Sequence, residues 1–198
     1  MSRMKFWCDD YRCIDCNGCV VACKEAHEVP VGVNRRRVVT INEGVEGKQI
    51  SLSVACMHCS DAPCQKICPT DCFYIRADGI VLHDKDKCIG CGYCLYACPF
   101  GAPQFGHQGL FGVKGVMDKC TFCAGGPDAT LSETEMHHYG QNRIAEGKIP
   151  MCASMCSTKA LIAGDSAEVA KIYDARKAKR GFATALKPYG WEAYNDKQ

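Results

Sequence analysis

Alternating and helical patterns divide the 198-residue chain into short elements separated by polar turns. Near the start, Met4, Phe6 and Cys8 fall on one side of an alternating run, which predicts a strand. "RRRVVTINEG" and "KQISLSV" (residues 35–44 and 48–54) alternate again across a glycine-containing turn and predict a hairpin. "FYIRADGIVLH" predicts a second, tighter hairpin around Asp78 and Gly79. Helical stretches are expected in "CVVACKEAH" and "CLYACPF", and Ser132 with Glu135 reads as a capping box. From residue 165 the period becomes helical. Val169, Ile172, Tyr173 and Arg176 share a face, Asp165 and Glu168 sit at its head, and Gly181 marks a stop. The basic residues Arg176, Lys177, Lys179 and Arg180 complement that helix's C-terminus and are read as a solvated helix end. The aromatic tail after it reads as an arm lying on a partner subunit.

These elements are too short to supply a large apolar core, and composition sharpens the point. Hydrophobic residues make up 47% of the chain, but that figure counts 18 cysteines. Without them about 38% remains, a thin supply for this length. Disulfides, zinc and iron–sulfur clusters are the candidate staples. The N-terminal segment has no charged stretch followed by an apolar run, so no secretory leader is visible and the disulfide reading weakens. No segment has the apolar length needed to cross a bilayer. A formal charge of +2 gives no nucleic-acid footprint.

The cysteine spacing is the strongest signal in the chain. Cys13, Cys16, Cys19 and Cys23 have gaps of two, two and three residues, and Cys88, Cys91, Cys94 and Cys98 repeat them, followed by Pro99. A further run holds Cys56, Cys59, Cys64 and Cys68 before Pro69, and a split run holds Cys120, Cys123, Cys152 and Cys156. Three closely spaced cysteines on a tight loop reach three irons of one cubane. The fourth, on the following helix, points at a neighbouring cluster, as in two-cluster bacterial ferredoxins. Zinc sites use two close pairs around one ion and suit this pattern poorly. Four runs therefore imply four [4Fe–4S] clusters in two ferredoxin-like pairs, which would bring the net charge to about −6. Spacing leaves open whether the third run pairs with the second or the fourth.

Cys8 and Cys72 stand outside these sets. Reading from the last cysteine of each run, Cys72 aligns with Ala102 and Ala160, so it reads as a small core residue, and Cys8 is read likewise. Arg35, Arg36 and Arg37 read as surface charge rather than a phosphate site, and His137 and His138 as solvent-exposed. No nucleophilic triad, phosphate loop or dinucleotide fingerprint is present, so no catalytic site is expected on this chain.

The stretches "ACMHCSDAPCQKICPTDCFYIRADGIVLHDKDKCIGCGYCLYACPFGAPQF", "GVMDKCTFCAGGP" and "GQNRIAEGKIPMCASMCSTKAL" carry a family resemblance. The chain resembles the four-cluster iron–sulfur subunits of the molybdenum/tungsten-pterin oxidoreductases, the dimethyl-sulfoxide reductase group. Within that group it is most similar to the beta subunits of bacterial formate dehydrogenases. The resemblance implies an α+β fold of two interleaved ferredoxin-like units with short β-hairpins and helices. Residues 1–164 would form the four-cluster module, with the first and fourth runs in one lobe and the second and third, at about 50–110, in the other. Residues 165–198 would add a C-terminal helix and extended tail. It assigns Cys13, Cys16, Cys19 and Cys156 to one cluster and Cys23, Cys120, Cys123 and Cys152 to a second. Cys56, Cys59, Cys64 and Cys98 would hold a third, and Cys68, Cys88, Cys91 and Cys94 a fourth. The implied function is electron transfer from a large molybdenum/tungsten-pterin catalytic subunit to a membrane cytochrome b or another acceptor. The same wire in another molybdopterin enzyme and a free-standing polyferredoxin are the alternatives. Similar subunits are exported folded with their catalytic partner, so the expected place is the periplasmic face of the inner membrane, with the cytoplasm as the alternative.

Overall fold

A computed structural model describes residues 3–107, 114–127 and 132–180. Its strands pair only in twos. Strand β1 (Met4–Cys8) lies antiparallel to β8 (Leu161–Asp165), with Cys8 opposite Leu161 and Met4 opposite Asp165. Strands β2 (Arg36–Ile41) and β3 (Ile50–Ala55) form the first expected hairpin. Strands β4 (Phe73–Ile75) and β5 (Val81–His83) form the second, where Gly79 takes the left-handed φ of 77° that a side chain resists. Strands β6 (Gln104–His107) and β7 (Lys114–Asp118) complete the set.

Short helices carry the cysteines between these ribbons. Helix α1 (Gly18–Ala26) packs against α5 (Met151–Ser154), and α2 (Pro63–Lys66) packs against α3 (Tyr93–Ala97). The first run thus meets the fourth, and the second meets the third. Pairing of β1 with β8 brings together segments from near the two ends of the described chain. Helix α4 (Glu133–Tyr139) starts at Ser132, whose hydroxyl accepts from the Glu135 N–H at 3.2 Å, the expected N-cap.

Helix α6 (Ser166–Arg180) presents the expected face to β1 and β8. Val169 and Arg176 are buried, and the Tyr173 ring lies 4.7 Å from that of Trp7. Asp165 caps the helix by accepting from the Ala167 N–H at 2.9 Å. The basic end is not wholly solvated: Arg176 Nη1 lies 3.5 Å from the buried carboxylate of Asp9, and Arg180 pairs with the same group. Gly181 and the aromatic tail lie outside the described residues. Among those described, no helix is long and apolar enough to cross a membrane.

The core is built around sulfur. One buried cluster joins Phe122, Ile80, Leu82 and Leu161 to Cys19 and Cys152, another joins Phe73, Val81 and Met117 to Cys64, Cys72 and Cys94, and a third joins Ala55 and Ala102 to Cys56 and Cys120. Each apolar cluster includes cysteines from more than one run, so the core itself gathers the runs.

Candidate metal centres

Each run begins with Cys-x-x-Cys, and in all four the residue just before the second cysteine is left-handed. Asp15, His58, Gly90 and Phe122 have φ of 56°, 44°, 69° and 59°. That turn doubles the chain back so that both sulfurs lie on one side. The first and third runs match further, since Asn17 and Gly92 are left-handed N-caps of α1 and α3. Identical spacing has produced identical loops. Backbone N–H groups then point at sulfur: Cys72, Ala102 and Leu161 donate to Cys68, Cys98 and Cys156 at 3.4, 3.5 and 3.4 Å. Such donors supply hydrogen bonds of the kind that tune cluster sulfurs.

The loops wall in cavities. Cys13, Cys16, Cys19 and Cys156 line one with an empty volume of about 420 Å³, partly open to solvent. Cys56, Cys59, Cys64 and Cys98 line a second of about 360 Å³. Cys68, Cys88, Cys91 and Cys94 line a third of about 290 Å³. Every one of these sets takes three cysteines from one run and the fourth from another. The remaining four, Cys23, Cys120, Cys123 and Cys152, are all buried and close enough to perturb one another: burial, then Cys120 and Cys152, raises the Cys23 thiol.

Neighbouring sets lie close enough to perturb one another. Cys19 of the first feels Cys152 of the next, Cys120 feels Cys56, and Cys94 feels Cys64. Burial pushes Cys94 and Cys123 up to about 12 and Cys64 and Cys120 up to about 11. At these four cysteines metal binding displaces a proton that burial helps to hold, whereas Cys88, beside Cys72, is lowered to about 5.

The donor set suits an iron–sulfur cubane. Four thiolates around one zinc ion sit at about 2.3 Å and close up on it. Here the sulfurs stand back around open volume, and among the described residues no three His, Cys, Asp or Glu side chains converge on a single-ion position. Buried cations supply a second test. Arg36 is fully buried, its Nε and Nη2 have no hydrogen-bond partner among the described residues, and it feels the nearby thiols of Cys152, Cys120, Cys19 and Cys23. Lys119, also fully buried, lines the second cavity and donates to the carbonyls of Val81 and Cys120. Buried charges of this kind require countercharge, and anionic clusters provide it.

Residues 48–139 match the family described as "4Fe-4S dicluster domain". The chain is 71% identical over 196 residues to the formate dehydrogenase iron–sulfur subunit of Wolinella succinogenes, covering 98% of each. The chain belongs to the formate dehydrogenase iron–sulfur subunits. More distant members of the wider group are the thiosulfate reductase electron transfer subunit of Salmonella typhi (36% identical; 87% of this chain, 85% of that one) and a subunit of the anaerobic dimethyl sulfoxide reductase of Escherichia coli (35% identical; 84% and 75%). Within this family the chain is an electron-transfer subunit carrying [4Fe–4S] clusters, and catalysis belongs to a separate partner.

Family membership leaves particular residues to the structure, which departs from sequence reasoning at several. Arg35 and Arg36 are buried rather than surface charges. Arg35 Nη2 reaches both oxygens of Asp118, at 2.9 and 3.0 Å. Cys72 is a buried core residue and Cys8 packs against the core, as read from the sequence, and each also lines a cavity beside a set of four: Cys8 with Cys13, and Cys72 with Cys88. The Cys72 thiol donates to the Asp84 carbonyl at 3.0 Å. His27 escapes the sequence reading altogether; its Nε2 lies 3.0 Å from the Cys123 sulfur and its Nδ1 3.1 Å from the Tyr139 carbonyl. His58, His83 and Lys119 escape it too, because nothing in a single chain marks a polar residue as buried. His137 is exposed, as expected.

Proposed function

We propose that this chain is the electron wire of a formate dehydrogenase, linking a molybdenum/tungsten-pterin catalytic subunit to a cytochrome b or other acceptor. The observation carrying the reading is the crossing of the runs in three cavities, each lined by three cysteines from one run and one from another. When bound, [4Fe–4S] clusters supply one-electron storage and transfer.

Cys13, Cys16, Cys19 and Cys156 hold the first cluster, and Cys23, Cys120, Cys123 and Cys152 the second. Cys56, Cys59, Cys64 and Cys98 hold the third, and Cys68, Cys88, Cys91 and Cys94 the fourth. The crossed cysteines Cys23 with Cys156, and Cys68 with Cys98, fix the spacing within each pair, because each short helix is tied at both ends. This is the arrangement of two interleaved ferredoxin-like units, with helix α6 (Ser166–Arg180) packed beside them. Apolar walls exclude water from the sulfurs, and N–H donors and buried cations adjust each site.

Two of the sets have apolar rims that suit partners. Ile14 and Met155 are exposed beside the first cavity and Ile89 beside the third. The first face is assigned to the catalytic subunit and the other to the acceptor. The complex is placed at the periplasmic face of the inner membrane. Formate added anaerobically to the complex purified through this chain tests the reading. Reversible bleaching of the visible iron–sulfur absorption is expected. Bleaching by dithionite but not by formate would reject the formate assignment while leaving the clusters in place.

A further inference from the structure

The guanidinium of Arg36 occupies a position shared by two of the four sets. The residue lies on β2 opposite Ala55 and is buried, with its charged group over the Phe6 ring at 4.3 Å. One nitrogen is anchored: Nη1 donates to Ser53 Oγ at 2.9 Å, and that hydroxyl lies 3.2 Å from Cys19 Sγ. The other two nitrogens, Nε and Nη2, have no hydrogen-bond partner among the described residues. No carboxylate pairs with Arg36 among the described residues. The acidic groups acting on it are the cysteines of two sets, Cys152, Cys120 and Cys23 of one and Cys19 of the other, which carry negative charge once they ligate a cluster.

Its neighbour makes the contrast. Arg35 is neutralised by Asp118 within hydrogen-bonding distance. An arginine keeps its proton in any protein environment, so Arg36 is a permanent positive charge in a medium where charge is costly. Among the described residues, the two adjacent sites are what can compensate it.

We propose that Arg36 raises the reduction potentials of both clusters held by the first and fourth runs, making that pair a single electrostatic unit. Each reduction adds one electron to a site that is already anionic. A fixed cation stabilises the reduced form more than the oxidised one, and this one serves two sites at once. It also offsets the repulsion between two reduced neighbours. The Ser53 hydroxyl extends the effect to Cys19 by accepting from Arg36 and donating to the sulfur. Arg36 thus acts as a positioning residue for electrons rather than as a ligand.

The inference rests on the cluster assignment above, and one experiment separates the two. The holo-complex, wild type and carrying Arg36→Gln or Arg36→Lys, is titrated anaerobically with dithionite and mediators while EPR follows each cluster. Iron content is measured first. Arg36→Gln is expected to move two of the four midpoints to more negative values and leave two in place, whereas Arg36→Lys, which keeps the charge, stays near wild type. Wild-type protein without four clusters would reject the assignment itself. Four loaded clusters with no midpoint moved, or all four moved alike, would overturn the role of Arg36 alone. Should Arg36→Gln fail to load, Arg36→Met replaces it. If neither neutral variant loads, full iron in Arg36→Lys is the expected result, since charge is what the sites need. An unloaded Arg36→Lys would mean that guanidinium shape is required, and would overturn the proposal.

Discussion

Nη2 of Arg35 lies 2.9 Å from Oδ1 and 3.0 Å from Oδ2 of Asp118, and both side chains are buried. This pair ties the entry of β2 to the end of β7, two residues before Cys120. Lys85 Nζ, at 3.8 Å, is the only other cation within 4 Å of that carboxylate among the described residues, apart from His83 at 3.9 Å. Asp118→Asn removes the countercharge and leaves Arg35 buried and unpaired. The expected loss is about 3–5 kcal/mol, read as a fall in the unfolding midpoint of the holoprotein. A midpoint equal to wild type would show that the pair contributes nothing.

Crossed ligation makes a counting prediction. Cys64 and Cys98 line one cavity, although Cys98 belongs to the run of Cys88. The double variant Cys64→Ala/Cys98→Ala is therefore expected to lose one cluster. Cys88→Ala/Cys98→Ala is expected to lose two. Iron and sulfide analysis reads the difference, and the reverse result would mean that each run fills its own site.

Sixteen of the 18 cysteines are proposed ligands, and Cys72 tests the boundary. Its structural equivalent Ala102 lines a cavity at the same step after its run and makes the same N–H to sulfur contact. Cys72→Ala is expected to keep full iron content and to cost about 1 kcal/mol, the worth of its bond to Asp84. Loss of a whole cluster would make Cys72 a ligand.

His83 gives a pH dependence. It is fully buried, and burial first, then Lys119, Arg35, Lys85 and His58, hold it well below the usual 6.5; Asp118 at 3.9 Å acts the other way. The unfolded chain takes up this proton below pH 6.5 while the folded one does not, so stability falls as the pH drops below that value. His83→Gln is expected to flatten the loss of stability between about pH 7 and 5.5, measured by thermal bleaching of the visible absorption. An unchanged slope would show that His83 plays no part in acid sensitivity.

Much of the fold is legible locally. Alternation around Val38 and Leu52 predicts the β2–β3 hairpin, and Asp78–Gly79 the β4–β5 turn, because period and turn chemistry depend only on near neighbours. The same alternation places Cys8 in its strand but not against a cavity, since it assigns a face and says nothing about what lies across it. Arg36 departs from its sequence reading for a related reason. Three arginines in a row look like surface charge, and only a buried set of thiols explains one turned inward.

By itself the sequence determined that loops of fixed spacing would each offer three cysteines to one site. The reach of a cysteine across two or three residues is set by the backbone and needs no partner. Only the tertiary structure brings Cys156, Cys98 and Cys68 into cavities lined by another run. The antiparallel pairing of β1 with β8 and the packing of α1 on α5 bring Cys156 to Cys13, across almost the whole described chain. The same packing leaves Arg36 and Lys119 inside. Burial and long-range approach are properties of the assembled core, where apolar cover and opposing charge are settled together.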